Sequence, residues 1–436
     1  MNTHIKIKKG LDLSLGGEPE QVIHPGPEVL HVALCGHDFI GLKPRMLVSE
    51  GDVVAKGQPL FIDKRDPDVN YCSPGQGVVT AINRGERRVL DSVVVRLENS
   101  GLEDVRFEPF SGQQLDTISR VQLFERLHQS GLWTAFRTRP FSRIPYSGCS
   151  PDAIFVTATD TRPLSADPAV VVGADIESFV SGLRLLPLLT TGTVYLCTGP
   201  GWNIDIPDLE RLEQVGFSGP HPAGLPGTHI HHLFPVDTER VAWQINYQDV
   251  MAIGELFTDG TIPNSRVIAV GGECVVKPRL VKTVVGASTD ELLAGGLHQC
   301  EGCRAVSGSV LDGRIASGSL GYLGRYHNQL SVIPEGGERR LFGWLGRGTK
   351  RRWTTSQNGR FSGMIPLPVF EKVMPLDILP APLFRALLVK DSDQAQALGC
   401  LELDEEDLAL CAHVCPAKTD YAQALRINLD QIEREG

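Results

Sequence analysis

Short apolar runs alternate with a helical stretch between residues 153 and 197, and this alternation most constrains the fold. The runs AIFVTA at 153–158 and TVYLC at 193–197 are continuous and rich in β-branched residues, which is typical of strands buried on both faces of a parallel sheet. Residues 178–189 between them are compatible with a helix. A strand, a helix and a second strand in this order predict an α/β domain with Rossmann-like layers.

A second helical pattern leads into this unit. Apolar side chains recur every three residues at Ile118, Val121, Phe124 and Leu127, and Gly131 follows as the expected C-cap. We therefore assign residues 106–258 to the Rossmann-like α/β domain.

Short valine-rich segments and glycine turns dominate the first hundred residues. The stretches VSEGDVVAKGQPLF at 48–61 and CSPGQGVVT at 72–80 predict a small barrel or sandwich. Their pattern resembles the lipoyl/biotinyl-carrier fold, and we assign residues 1–105 to a barrel-sandwich hybrid-like domain. Lys64 follows Asp63 as a modified lysine would. However, the span from Lys64 to Pro74 predicts a loop too long for a lysine-presenting hairpin, so we interpret Lys64 as solvated.

Two further domains account for the remaining length, because 436 residues are too many for one hydrophobic core. A strand-rich piece follows Thr261 and predicts a small α+β domain, which we place at residues 259–330. Residues 331–436 are predicted to be mainly helical. There Asp404 has the position of an N-cap, and Tyr421 opens a final amphipathic helix.

A formal net charge of −10 argues against a nucleic-acid partner, because an acidic surface repels phosphate backbones. No run of about 18 apolar residues occurs, so we predict no transmembrane segment, and the first residues lack the apolar core of a signal peptide. One local exception lies between Trp344 and Trp353, where a basic loop either contacts anionic lipid or a partner, or stays solvated. Its cations are Arg347, Lys350, Arg351 and Arg352.

The cysteine and histidine motifs provide no complete metal site, so no metal is predicted. The pair Cys300 and Cys303 is only half of a zinc or cluster motif. The group Cys400, Cys411 and Cys415 resembles the end of a ferredoxin-type motif that lacks its C-x2-C-x2-C core. We interpret the histidines at 229, 231 and 232 as polar structural residues. The usual catalytic signatures are also absent, which argues against a self-contained enzyme.

Eight long segments, in order along nearly the whole chain, resemble the A subunit of the bacterial Na⁺-translocating NADH:quinone reductase (Na⁺-NQR). They are KIKKGLDL near the start, SGLWTAFRTRPFSRIP at 130–145, IFVTATDTRPLSADP at 154–168, GTHIHHLFPV at 227–236, NYQDVMAIGELF at 246–257, SGSVLDGR at 307–314, GYLGRYHNQLSV at 321–332 and ALGCLELDEEDLALCAHVCPAK at 397–418.

The resemblance implies a non-catalytic subunit of a Na⁺-pumping NADH:ubiquinone reductase. Other subunits of that complex carry the flavins and the iron–sulfur centre and are the expected partners. The implied location is peripheral, on the cytoplasmic face of the bacterial inner membrane, and ubiquinone is the implied ligand. The more distant flavin-carrying relatives of respiratory complex I imply that the domain at 259–330 is a β-grasp, SLBB-like unit.

In those flavin-carrying relatives a glycine-rich loop holds FMN phosphate with its backbone amides. The matching loop here is residues 132–140, which keeps only the preceding Gly131 and contains Pro140, a residue without an amide hydrogen. We therefore expect no tightly bound cofactor and do not expect FMN or FAD in this chain. An NADH- or FMN-binding module stays an alternative, because Arg137 and Arg139 could contact a nucleotide phosphate.

The side chains that replace the glycines suit a quinone. Three aromatic residues could form an apolar slot, and two arginines could donate to carbonyl oxygens; the resemblance adds three candidates from residues 34–46. The candidate contacts are Trp133, Phe136, Phe141, Arg137, Arg139, Phe39, Lys43 and Met46. One alternative is that Trp133 and Phe136 are core while the arginines hold carboxylates. Another is a purely structural docking subunit without a redox ligand.

Overall fold

The structure is a computed structural model that describes residues 3–99, 101–298, 302–336, 353–357, 359 and 363–435. The strands of the described residues are β1 (Thr3–Lys6), β2 (Glu20–Pro25), β3 (His31–Cys35), β4 (Pro44–Met46), β5 (Val53–Val54), β6 (Pro59–Asp63), β7 (Asp66–Cys72), β8 (Gly77–Arg84), β9 (Leu90–Leu97), β10 (Arg137–Arg139), β11 (Ala153–Ala158), β12 (Thr193–Thr198), β13 (Leu212–Ser218), β14 (Ala242–Asn246), β15 (Ser265–Gly271), β16 (Arg279–Val284), β17 (Cys303–Ser307), β18 (Arg314–Ile315) and β19 (Gln329–Pro334). The α-helices are α1 (Arg120–Ser130), α2 (Pro168–Gly173), α3 (Ile176–Leu185), α4 (Pro226–Leu233), α5 (Tyr247–Asp259), α6 (Thr289–Leu293), α7 (Pro368–Val373), α8 (Pro380–Val389), α9 (Ser392–Ala397), α10 (Ala409–Val414) and α11 (Tyr421–Glu435).

The α/β domain is built on a six-stranded sheet with the order β1-β13-β12-β11-β14-β10. Its strands are parallel except for β10, which is antiparallel to β14. The predicted strand at 153–158 is confirmed as β11, and all six of its residues are buried. Helix α3 ends at Leu185, before the predicted 189. The segment that follows contains Pro187, which lacks an amide hydrogen, and it continues as a 3₁₀ turn.

Helix α1 confirms the helical pattern that leads into this sheet. Its N-cap Ser119 accepts a hydrogen bond from Gln122 N, and Gly131 ends the helix with a φ of 76°. Leu123 forms part of the buried face, whereas Val121 was expected on that face and is 64% exposed. Two residues apart on an α-helix lie on nearly opposite faces, so Val121 points away from Leu123.

Two small sheets form the N-terminal sandwich, with the orders β3-β9-β8-β5 and β4-β6-β7. The prediction of a long loop after Lys64 is wrong. Asp63 pairs with Asp66, so Lys64 and Arg65 form the tip of a tight hairpin between β6 and β7. The sandwich also excludes the first two strands of the chain: β1 pairs with β13 of the α/β sheet, and β2 pairs with β16 of the next domain.

A mixed sheet with the order β18-β17-β19-β15-β16-β2 forms the third domain. The short helix α6 accompanies it, so the α+β prediction is confirmed. The last strand, β19, ends at Pro334 and extends slightly beyond the expected boundary at 330.

The C-terminal residues form a helical domain with its own hydrophobic core, which includes Phe370, Phe384 and Tyr421. Asp404 caps a 3₁₀ turn at Glu405–Leu408, and α11 begins at Tyr421 as predicted. Asp404, Glu406 and Asp407 pair with Arg139 of the α/β domain. The backbone carbonyl oxygen of Glu402 also accepts from Arg139, so the two domains meet around this side chain.

Candidate functional site

Trp133 and Phe136 lie in the core. Both side chains have an exposure of 0%, and their ring centroids are 5.3 and 5.7 Å from that of Trp243 on β14. The indole nitrogen of Trp133 donates to the carbonyl oxygen of Pro145 at 2.7 Å. In this conformation neither ring presents a face to a ligand.

Phe141 and Arg139 contact the helical domain and do not form a shared slot with Trp133. Phe141 packs against the helical core. Arg139 has no exposed surface; its guanidinium donates to Asp407 Oδ2 at 2.9 Å and to the carbonyl oxygen of Glu402 at 3.0 Å. The expected single slot is therefore not formed, because its members face different cores.

An acidic turn at residues 404–407 collects arginines from several elements. Besides Arg139, the pairs are Arg162 with Glu406 at 2.5 Å and Arg426 with Glu405 at 2.6 Å. Burial raises the pKa of Asp404, but Arg139 and the neighbouring donors lower it further, so it lies well below its usual range. Burial and the charge of Asp404 raise the pKa of Glu405 to about 7. This cluster joins two domains and is structural in character.

The candidates from residues 34–46 divide into two groups. Phe39 is buried, with its ring 4.8 Å from that of Tyr71 and 6.4 Å from that of Tyr326. Lys43 is exposed and Met46 is half-buried on the neighbouring strand β4. Arg137 approaches from the α/β domain, where its guanidinium lies 4.7 Å over the ring of Tyr326. Tyr326 therefore links Phe39 and Arg137, two candidates that are far apart in sequence.

A cavity of about 60 Å³ lies where three domains meet. The sandwich contributes Phe39 and Tyr71 to its wall, the α/β domain contributes residues 130–132, Thr134 and Ala252, and the third domain contributes residues 262–266. The cavity therefore brings together the two segments that the sequence singled out. Lys43, Met46, Trp133 and the arginines 137 and 139 are not part of this wall.

Three buried residues, Asp249, Arg266 and Arg325, form the charged part of the wall. Asp249 on α5 accepts from Arg266 and Arg325 at 2.8 Å each. Burial raises the pKa of Asp249, but the two arginines outweigh burial, so its pKa lies below the ordinary value. Sequence reasoning missed this triad. Its only local signal is a carboxylate inside NYQDVMAIGELF, an otherwise largely apolar segment.

The histidine group lies on helix α4, whereas a strand would have placed His229 and His231 on one face. His229 is fully buried and donates from Nε2 to the carbonyl oxygen of Ala223 at 3.0 Å. His231 donates from Nδ1 to Glu402 at 2.8 Å, and its Nε2 accepts from Asp377 N. All three contacts lie within the chain, which agrees with the interpretation of these histidines as structural residues.

His229 should make stability depend on pH. Burial lowers its pKa to about 3, against about 6.5 in an unfolded chain. The histidine stays neutral in the fold, so its contribution to stability is intact above pH 6.5. As the pH falls from 6.5 toward 3, that contribution decreases by up to about 1.4 kcal/mol per pH unit. Urea unfolding at several pH values gives the free energy of unfolding as a function of pH. Between pH 6.5 and 3 this free energy should change less steeply with pH for His229→Gln than for wild type. Equal pH dependences would contradict the assignment to His229.

The C-terminal cysteines pack in the helical core. Cys400, Cys411 and Cys415 are buried, and the sulfur of Cys415 lies 3.3 Å from the hydroxyl of Tyr421. Cys300, one half of the CxxC pair, lies outside the described residues. In the part of the chain that the structure describes, no three His, Cys, Asp or Glu side chains meet in a way that could hold a metal ion.

The basic loop Arg347, Lys350, Arg351 and Arg352 also lies outside the described residues. Trp353 at its end is described. Its indole nitrogen donates to the carbonyl oxygen of Ser14 at 2.9 Å, and its ring lies 5.7 Å from that of His413. This tryptophan is therefore engaged within the chain.

Three family models match successive parts of the chain. The NqrA N-terminal barrel-sandwich hybrid domain matches residues 5–98, the NqrA second alpha/beta domain matches 118–262 and the NQRA C-terminal domain matches 267–318. The A subunit of the Na⁺-translocating NADH-quinone reductase of Neisseria gonorrhoeae is 49% identical over 99% of this chain and 100% of its own length. The corresponding protein of Shewanella amazonensis is 50% identical with the same coverage. This chain belongs to the NqrA family.

Membership of the NqrA family confirms the resemblance that the eight segments indicated. It also confirms the enzyme class, a Na⁺-translocating NADH-quinone reductase. The chain is a subunit of a Na⁺-translocating NADH-quinone reductase, and the other subunits of that complex are its partners. The family models also confirm a barrel-sandwich domain followed by an α/β domain.

No helix in the described ranges of this NqrA-family chain combines the length and the apolarity that crossing a membrane requires. An NAD⁺-reducing [NiFe]-hydrogenase in its H₂-reduced state is 11% identical over 76% of this chain and 65% of its own, with a TM-score of 0.38.

Proposed function

We propose that this chain binds ubiquinone during electron transfer from NADH to quinone, with the quinone head group in the cavity between the three domains. The observation that carries the proposal is that both candidate segments, represented by Phe39 and by Leu132 and Thr134, line the same cavity. An apolar wall with a few polar groups at a domain junction is the usual form of a small-molecule site.

The cavity must open before it can take a ring. Its volume of about 60 Å³ is well below the roughly 150 Å³ of a protein cavity that binds benzene. Its walls come from three different domains, so a small displacement between these domains would enlarge it. Arg137 stacks on Tyr326 beside this junction.

Titration of the full chain with ubiquinone-1 tests this proposal. Phe39→Leu removes one ring from the cavity wall, and we expect about tenfold weaker binding, since an aromatic contact contributes roughly 1 kcal/mol beyond its buried area. The matched control is Phe61→Leu, because Phe61 also stacks on Tyr71, at 4.7 Å, but does not line the cavity. Equal affinities of the two variants would overturn this site.

We further propose that the subunit is peripheral, lies on the cytoplasmic face of the membrane and holds no flavin tightly. Support for the last point comes from the turn after Gly131, where the amides of Thr134 and Phe136 already donate to carbonyl oxygens of the same turn. The arginines that would meet a phosphate pair with carboxylates instead: Arg137 with Asp404, and Arg139 with Glu406 and Asp407. A flavin absorbance band in the purified chain at equal stoichiometry would contradict this part.

A purely structural docking subunit is the second candidate. The burial of Trp133 and Phe136, together with the ion pairs of Arg139, favours it, because the most distinctive segment of the chain then serves to hold two domains together. No saturable ubiquinone binding, combined with failure of the complex to assemble without this chain, would select this candidate.

A further inference from the structure

One oxygen of a buried carboxylate at the junction cavity has no hydrogen bond. Asp249 is 1% exposed and lines the cavity. Its Oδ1 accepts from Nη2 of Arg266 and from Nη1 of Arg325, whereas its Oδ2 has no partner among the described residues. A buried acceptor without a partner is costly and calls for an explanation. A donor supplied from the cavity would satisfy it.

The surroundings fix both the orientation and the charge of Asp249. Arg266 extends from β15, and Arg325 extends from the segment before β19, so two elements of the third domain hold Oδ1. The pKa of Asp249 lies below its ordinary value, so the group is a carboxylate at neutral pH and can only accept hydrogen bonds. The nearby hydroxyl of Tyr326 already donates to the carbonyl oxygen of Thr134 at 2.9 Å. No described group donates to Oδ2, and a ligand in the opened cavity can supply the missing donor.

The oxidised and reduced forms of a quinone differ in whether they can donate a hydrogen bond to Oδ2 of Asp249. A quinone has two carbonyl oxygens, which accept hydrogen bonds, whereas its two-electron reduced form has two hydroxyl groups, which donate as well. A carbonyl oxygen placed beside Oδ2 would set two acceptors against each other. A hydroxyl group there would make a charge-assisted hydrogen bond, which belongs to the stronger class.

We infer that Asp249 makes the junction cavity select a hydroquinone over the corresponding quinone. The inference rests on the proposed function and names the redox form that the same cavity favours. Asp249 acts as a specificity-determining acceptor, and the two arginines position it.

Anaerobic titration of the full chain with ubiquinol-1 and with ubiquinone-1 tests this selectivity. We expect wild type to bind ubiquinol-1 about tenfold more tightly or better, as one hydrogen bond to a charged group permits. In Asp249→Asn the amide oxygen still faces the arginines while the amide nitrogen donates into the cavity, so the preference should vanish or invert. The matched control is Asp312→Asn, because Asp312 pairs with Arg162 at 2.7 Å away from the cavity; this variant should keep the wild-type ratio.

The outcomes separate the inference from the proposed function. Equal binding of the two forms by wild type, a preference for the quinone, or an unchanged ratio in Asp249→Asn would overturn the selectivity and leave the quinone site standing. No saturable binding of either form would overturn the proposed function and the inference with it. If Asp249→Asn does not fold, the wild-type chain is titrated with the dimethyl ether of ubiquinol-1, which has no hydroxyl group to donate. We expect this ether to bind no more tightly than ubiquinone-1. Binding as tight as that of ubiquinol-1 would overturn the selectivity.

Discussion

Replacing Arg139 by methionine should lower the free energy of unfolding of the full chain by about 3–5 kcal/mol, the usual effect of removing one partner from a buried ion pair. The Arg139 side chain is completely buried and pairs with Asp407 at 2.9 Å and with Glu406 at 3.3 Å. Methionine preserves much of the packing but leaves these carboxylates without their central cation. Urea unfolding followed by circular dichroism measures the loss.

Arg96→Met is the matched control for this change. Arg96 pairs with Glu98 at 2.9 Å, yet both side chains are more than 40% exposed. An exposed pair contributes at most about 1 kcal/mol, so the control should unfold nearly as wild type does. Similar losses for Arg139→Met and Arg96→Met would show that the acidic turn does not hold the helical domain in place.

Ala252→Leu should abolish ubiquinone binding while the protein stays folded. Ala252 lies on α5 in the cavity wall, and leucine in its place extends into the space that the ring would occupy. We expect ubiquinone-1 affinity to fall at least about 100-fold. Stability should change by no more than about 1 kcal/mol, because leucine favours helix and fills an existing cavity.

Ala397→Leu makes the same chemical change at an exposed position at the end of α9. This control should bind ubiquinone-1 with wild-type affinity. Calorimetric titration of both variants gives the comparison. Undiminished binding by a folded Ala252→Leu protein would exclude the junction cavity as the quinone site.

Sequence patterns correctly predicted those helices and strands that are determined by residues close together in the chain. The glycine cap of α1, the fully buried strand β11 and the start of α11 each depend on neighbouring residues, and each was found where the pattern placed it. Strands β1 and β2 could not be predicted in this way. Their partners β13 and β16 lie more than 200 residues away, and no periodicity within a short strand indicates which sheet it will join.

Contacts between distant parts of the chain also explain why the predicted slot does not form. Trp133 follows a predicted helix, and its ring packs against Trp243 on a distant strand. From the sequence, Arg139 was a candidate donor to a phosphate or to a quinone carbonyl oxygen, whereas in the structure it pairs with the acidic turn. The acidic residues of that turn had indicated only a helix cap. Phe39 was a candidate through the family resemblance, and its place beside Leu132 emerged only from the packing of three domains.

Alkylation of Cys72 in the presence of ubiquinone-1 tests the central claim most directly. Cys72 lines the junction cavity, and Cys149 on the exposed loop before β11 serves as an internal reference. Burial raises the pKa of Cys72 to about 12, so labelling with iodoacetamide is carried out at alkaline pH and followed by mass spectrometry. We predict that saturating ubiquinone-1 slows labelling of Cys72 severalfold and leaves Cys149 unchanged. An unchanged rate at Cys72 under saturating ubiquinone-1 would contradict a quinone site at the junction of the three domains.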